Sequence, residues 1–274
     1  MPRPGSAAPF LKWAGGKRQL LEQLARFVPE LTPAAAYHEP FLGGGALFFH
    51  LQPRRALLSD INEELVECFQ VVRDDVDALI EALLPCRNEP EFYYEMRARD
   101  PATLTAVGRA ARTIYLNRTC FNGLYRVNRA GRFNVPFGRY ANPTLCDETG
   151  LRTASRALAG AKLEVRPFRS VLERARPGDF VYFDPPYQPL SVTSSFTAYT
   201  RHPFGDREQQ ELASVFARLV HLGCRVMLSN SDTDRVRSLY STFRIEQVLA
   251  NRAINSKAAG RGKISELVIL GGFD

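Results

Sequence analysis

Asp179-Phe180-Val181-Tyr182-Phe183-Asp184-Pro185-Pro186-Tyr187 is the stretch on which the reading of this chain turns. Its first half, led in by Pro177-Gly178, is short and rich in β-branched and aromatic residues, as a buried strand is. The second half cannot extend that strand. Pro185 and Pro186 lack N–H donors and fix φ, so the backbone after Asp184 must turn stiffly and irregularly. A carboxylate therefore stands at the carboxyl end of a core strand, followed by carbonyls outside any ladder and then an aromatic ring. Open α/β sheets bind ligands at that edge. An isolated Asp-Pro is as readily a turn or cap. The full Asp-Pro-Pro-Tyr combines acceptor carboxylate, acceptor carbonyl and flat stacking face, which suits a planar substrate bearing an amino group.

Working outward, further strand-to-turn units repeat the pattern. Tyr37-His38-Glu39-Pro40-Phe41-Leu42-Gly43-Gly44-Gly45-Ala46 reads as strand, glycine turn and helix start, the arrangement that lets backbone approach a nucleotide closely. Ala56 to Ser59 reads as a second strand ending at Asp60, placed to accept from a ribose diol or to cap the helix beginning near Asn62. Earlier, Phe10-Leu11-Lys12-Trp13-Ala14-Gly15-Gly16-Lys17 precedes a helical spacing of Leu20, Leu21, Leu24, Phe27 and Val28. Its Gly-Gly-Lys is a structural turn or an anion loop, but not a P-loop, because Arg18 stands where Ser or Thr belongs. One helical run is predicted from Glu63 to Leu84 and another over 90–99. After residue 159, Leu163-Glu164-Val165, Cys224 to Leu228, 243–249 and 265–270 read as strands, and Asp206 to Leu222 as an amphipathic helix. Residues 188–203, with Phe196 and Tyr199, read as a loop that closes over substrate.

Charge is distributed unevenly. The chain of 274 residues is 45% hydrophobic, enough for a substantial core, and carries a net +7. Residues 101–146 contain Arg109, Arg112, Arg118, Arg126, Arg129, Arg132 and Arg139 and no acid, so this segment alone equals the net charge. Interleaved are Tyr115, Phe121, Tyr125, Phe133, Phe137 and Tyr140. Arginines meet phosphates and guanine edges, and aromatics stack on bases or wedge between them, so the segment points to nucleic acid rather than a solvated face. Within it, residues 122–136, with Asn122, Arg126 and Asn128, read as a basic hairpin turning at Ala130-Gly131, suited to a groove. A second basic loop, 251–263, offers Arg252 and Lys257 to phosphates. Five cysteines without a C-x-x-C pair and four scattered histidines predict neither a disulfide framework nor a metal site. No signal pattern and no apolar run of bilayer length appears, so a soluble intracellular protein is expected.

These motifs, in this order, resemble the Dam-type (D12 class) adenine-N6 DNA methyltransferases over nearly the whole chain. The matching stretches are residues 10–17, 39–45, Ser59-Asp60-Ile61-Asn62, Asn122-Gly123-Leu124-Tyr125-Arg126, Phe133-Asn134-Val135-Pro136-Phe137-Gly138 and Asp184-Pro185-Pro186-Tyr187. The resemblance implies an α/β, Rossmann-like class I methyltransferase sheet with an inserted, mostly helical target-recognition domain carrying a β-hairpin. Residues 1–62 and 160–274 would form the S-adenosylmethionine-binding catalytic domain and 63–159 the DNA-binding domain. It implies that Asp184, Pro185 and Tyr187 are catalytic, and that Trp13, Lys17, Phe41, Gly43, Gly45, Asp60 and Asp184 hold the cofactor, with Phe168 a stacking residue. Lys12, Phe121, Arg126, Pro136 and Tyr140 would read or position double-stranded DNA. The chain departs from the family where an acid usually meets the cofactor adenine; Val165-Arg166-Pro167-Phe168 stands there. The implied activity is methyl transfer from S-adenosylmethionine, without a metal, to N6 of a flipped adenine, within GATC. The implied setting is a cytoplasmic, nucleoid-associated monomer of a prokaryote or phage, with or without a cognate restriction endonuclease. An RNA adenine methyltransferase and a decayed DNA-binding module are the alternatives. A dehydrogenase has the wrong glycine pattern and lacks a proton-relay histidine.

Overall fold

The structure is a computed structural model that describes residues 7–13, 15–17, 19–128, 130–187, 204–251 and 263–273. A seven-stranded sheet forms its centre, in the order β3-β2-β1-β4-β5-β7-β6. The strands are β1 (Tyr37–Glu39), β2 (Ala56–Asp60), β3 (Ala161–Val165), β4 (Phe180–Phe183), β5 (Arg225–Ser231), β6 (Arg244–Asn251) and β7 (Lys263–Gly271). All are parallel except β7, which runs antiparallel to both β5 and β6. The expected Rossmann-like architecture is therefore present. Strand β4 is buried along its whole length, as a parallel strand covered on both faces must be. Its side chains alternate: Phe180 and Tyr182 join one hydrophobic cluster, Val181 and Phe183 the other.

From β1 the chain winds outward through β2 to β3, then returns to β4 and winds the opposite way. The carboxyl ends of β1 and β4 thus flank the switch point, where the two neighbouring crossovers diverge and leave a crevice. Asp184 leaves β4 at that place. The register pairs Tyr182 with Met227 and Phe183 with Leu228, so the next step sets Asp184 level with Ser229 of β5.

The ten α-helices are α1 (Leu21–Ala25), α2 (Ala46–Leu51), α3 (Glu63–Asp74), α4 (Val76–Leu83), α5 (Pro90–Ala98), α6 (Ala106–Thr119), α7 (Glu148–Leu158), α8 (Val171–Arg174), α9 (Asp206–His221) and α10 (Asp234–Leu239), among the described residues. Helix α3 packs on β2 and β3 and also on α6 and α7, while α9 covers β5 and β7. Two expectations need correction. The run from Glu63 to Leu84 is two helices, broken at Asp75 (φ −132°, ψ 39°). Adjacent Asp74 and Asp75 oppose the negative end of the α3 dipole, which favours a stop there. The spacing from Leu20 to Val28 yields only the short α1, because Pro29 disfavours α geometry at Val28 and the last turns tighten through Phe27 N–H to Leu24 and Val28 N–H to Ala25.

Between β2 and β3 lies a helical excursion holding α3 to α7. Its buried side chains, among them Phe69, Leu79, Tyr93, Ile114 and Tyr115, belong to the same cluster as Phe49, Leu58 and Tyr182 around the sheet. Among the described residues no helix is long and apolar enough to cross a membrane.

Candidate active site

At the carboxyl edge of β4, the Asp184 Oδ1 accepts from Lys17 Nζ at 2.7 Å and from Ser229 Oγ at 3.0 Å. Lys17 is buried to 4% exposure and also donates to the Gly15 carbonyl at 2.7 Å, so its turn holds the ammonium in place. The same ammonium lies 4.5 Å from the ring centroid of Tyr187. Tyr187 in turn donates its hydroxyl to Glu266 Oε2 of β7. Pro185 and Pro186 offer no N–H here, and the Pro186 carbonyl receives Gln209 Nε2 at 3.5 Å. Gln209 is itself aligned by Asn230 Nδ2 at 3.1 Å. The structure thus brings Asp184, Tyr187 and Lys17 together, with Asp184 and Tyr187 held by side chains from β5 and β7.

Burial shapes the charges around this edge. Desolvation pushes the Glu266 carboxyl up against the opposing pull of Lys17. Glu39, at the end of β1, is more extreme: burial raises it to about 8, although the Tyr37 hydroxyl donates to its Oε2 at 2.8 Å. Tyr37 and Glu39 lie two apart on one strand and so share a face. Neither Glu39 nor Glu266 was among the residues singled out from the sequence. An acid inside an apolar strand was the available signal for both.

The glycine turn after β1 crosses the tips of β1 and β2. Gly43 and Gly45 adopt φ of +47° and +64°, backbone that favours glycine. The Asp60 Oδ2 accepts from the Gly43 N–H at 3.2 Å and its Oδ1 from the Asn62 N–H at 3.0 Å. Burial raises the Asp60 carboxyl. The cap of α3 is not Asp60 but Asn62, whose Oδ1 accepts from Leu65 N–H. Trp13 covers this turn: a Cβ at Gly43 would come 3.0 Å from its Cδ1. It also stacks on Tyr125 at 5.1 Å, so the tryptophan bridges the glycine turn and the arginine-rich segment. Phe41 and Phe168 stack at 5.3 Å, with Phe204 edge-on to both. The Asp60 carboxylate has about four acceptor positions and meets the backbone N–H groups of Gly43, Ile61 and Asn62, which leaves acceptor capacity for a ribose hydroxyl, so the turn and the acid fit a ribose-bearing cofactor.

The residues expected to meet DNA fall in two groups. Lys12 Nζ lies 4.7 Å over the Tyr140 ring, and the Phe121 N–H donates to the Pro136 carbonyl at 2.9 Å. Phe121 is 50% exposed, and Asn122 is exposed in left-handed backbone (φ 55°). Asn117 of α6 clamps Lys12, accepting from its N–H at 2.8 Å and donating to its carbonyl at 2.7 Å. The second group is the hairpin, bridged between Val127 and Phe133. There the Arg126 guanidinium is bonded to Asn134 Oδ1 at 2.7 Å, and Asn128 Oδ1 closes the turn by accepting from Ala130 and Arg132 N–H. Arg252 and Lys257, like Phe196, Tyr199 and Arg129, lie outside the described residues.

The reading of the arginines and aromatics of 101–146 as a nucleic-acid surface needs correction in part. Arg109 makes a two-pronged pair with Glu67 of α3. Arg112, 4% exposed, donates to the carbonyls of Met96 and Arg97, and Arg118 to that of Phe10. Tyr115, Tyr125 and Phe133 are buried. These partners, Glu67 and the carbonyls of Phe10, Met96 and Arg97, all lie outside the window.

A family model for D12 class N6 adenine-specific DNA methyltransferases matches residues 13–254. The chain is 44% identical to the type II methyltransferase M.MjaIII of Methanocaldococcus jannaschii, over 96% of its own length and 98% of the relative's. It is 42% identical to the type II methyltransferase M1.LlaDCHI of Lactococcus lactis subsp. cremoris, over 95% and 94%. With the DNA adenine methylase of Escherichia coli (strain K12) the identity is 36%, again over 95% and 94%. This chain belongs to the D12 class of N6 adenine-specific DNA methyltransferases.

Proposed function

We propose that this chain transfers the methyl group of S-adenosylmethionine to N6 of an adenine flipped out of duplex DNA, within GATC. The observation that carries the reading is the convergence on Asp184, at the switch-point end of β4, of Lys17, Ser229 and the Tyr187 ring that Glu266 holds. Family membership supports adenine in DNA as the substrate. The glycine turn and Asp60 would hold the cofactor, which when bound supplies an electrophilic methyl on a sulfonium.

An adenine inside the stack cannot present N6, so the base must leave the duplex. The Asp184 carboxylate and the Pro185 carbonyl then accept from the N6 amino group. Those two bonds turn the nitrogen lone pair toward the donor and stabilise the positive charge that grows on N6. Tyr187 stacks on the base, contributing about 1–3 kcal/mol. Residues 63–159 would supply target recognition, with Lys12, Phe121 and Tyr140 against the duplex and Arg126 released from Asn134 to meet a base edge. Arg252 and Lys257 would hold phosphates.

The test is incubation of purified protein with methyl-labelled S-adenosylmethionine, a duplex holding one GATC, and a structured RNA competitor. Label is expected in N6-methyladenine of the GATC duplex. Label in RNA, equal label in a duplex lacking GATC, or none at all would overturn the reading.

A further inference from the structure

We propose that Tyr182 and Ser229 are positioning residues, a two-hydroxyl relay that sets the Asp184 carboxylate for the incoming amine. Ser229 Oγ donates to Asp184 Oδ1 at 3.0 Å. A hydroxyl has one proton, so Ser229 has none left for its other neighbour, the Tyr182 hydroxyl 3.0 Å away. The direction of that second bond follows: Tyr182 donates to Ser229, and Ser229 donates to Asp184. Both residues are 1% exposed, so water does not compete for either bond. Both sit within ordered strands, Tyr182 in β4 and Ser229 in β5, and the adjoining residues are locked in register.

Lys17 is the other donor to Oδ1, its ammonium held against the Gly15 carbonyl. A single donor would still let the carboxylate pivot about that one bond. The second, from a rigid strand, fixes its plane, leaving Oδ2 as the oxygen that no donor meets among the described residues. Reactions that depend on an aligned lone pair are sensitive to small misplacement of the acceptor. The same pair of bonds would also arise if the two hydroxyls only satisfied one another in the core, and the experiment separates these roles.

The inference rests on Asp184 accepting the adenine amine, so Asp184→Ala is measured alongside. Ser229→Ala is expected to lower kcat about 10- to 100-fold with KM for DNA and for S-adenosylmethionine unchanged, the size of a lost bond to a charged acceptor. Tyr182→Phe is expected to lower kcat about threefold, by loosening the serine alone. Because Tyr182 acts through Ser229, the double variant should turn over no more slowly than Ser229→Ala. Its Tm should recover part of what Ser229→Ala loses, since that variant strands a buried hydroxyl and the double variant removes it. Normal kcat in Ser229→Ala, or additive losses in the double variant, would overturn the relay. Should Ser229→Ala fail to fold, a normal kcat in Tyr182→Phe would overturn it and a reduced kcat at constant KM would support it. Turnover by Asp184→Ala would instead sink the proposed function beneath it.

Discussion

The carboxyl edge of β4 and the arginine-rich stretch 101–146 use charge in opposite ways. At the edge, Lys17, Asp184 and Glu266 come from three distant segments, and their charged groups meet around one aromatic ring. In the stretch, Arg109, Arg112 and Arg118 are spread along one helix and bond outward to Glu67, to the carbonyls of α5 and to Phe10. A few charges converging make a site, whereas many charges diverging make a scaffold. Counting arginines in a window cannot tell these apart, because the window does not contain their partners.

Each side of that contrast can be broken. The largest effect is expected at the edge: Asp184→Ala should lower methyl transfer by about a thousandfold or more while duplex binding survives, measured as turnover and as band shift. Near-normal turnover would remove Asp184 from the chemistry. Arg112→Ala should act on the scaffold alone, lowering unfolding free energy by about 2–4 kcal/mol because the Met96 and Arg97 carbonyls lose a buried charged donor. Sequence preference should stay unaltered. A variant that keeps its denaturant midpoint but binds DNA poorly would return Arg112 to the nucleic-acid face.

Arg126 stands between the two regimes, held by Asn134 yet only half-buried. Arg126→Ala should relax discrimination against a mismatched site by about 1–3 kcal/mol, read from kcat/KM on single-base variants. A uniform loss over all sequences would make it a phosphate contact instead. A test away from the DNA-facing residues uses Glu39. Its folded carboxyl is raised from 4.5 to about 8, so between those values the folded state keeps a proton that the unfolded state has released. That contribution is full below 4.5 and falls away as pH rises toward 8. Glu39→Gln should therefore flatten the decline of stability with pH across this window, by up to about 1 kcal/mol per pH unit. An unchanged slope would mean that Glu39 is ionised in the fold.

What the sequence revealed divides along the same line. Asp184, Gly43, Gly45 and Asp60 were legible because covalent constraints act locally: prolines end a strand, and glycines permit a turn that other residues resist. The strands were legible for the same reason, as continuous apolar runs. Ser229, Tyr182 and Glu266 were not assigned roles, since each depends on which strands become neighbours and in what register. Ser229 directly follows the strand read over Cys224 to Leu228, but its bond to Asp184 needs the pairing of Phe183 with Leu228. Arg109 and Arg112 misled because tertiary partners, absent from their own segment, neutralise or occupy them.

The proposed transfer depends on one carboxylate after β4 gripping the amine of an extruded adenine. Modified-base sequencing of DNA from cells expressing either the wild-type chain or Asp184→Ala tests it most directly. N6-methyladenine at GATC in the wild-type cells alone is the predicted result. Equal marking by both chains, or unmarked adenine in both, would contradict it.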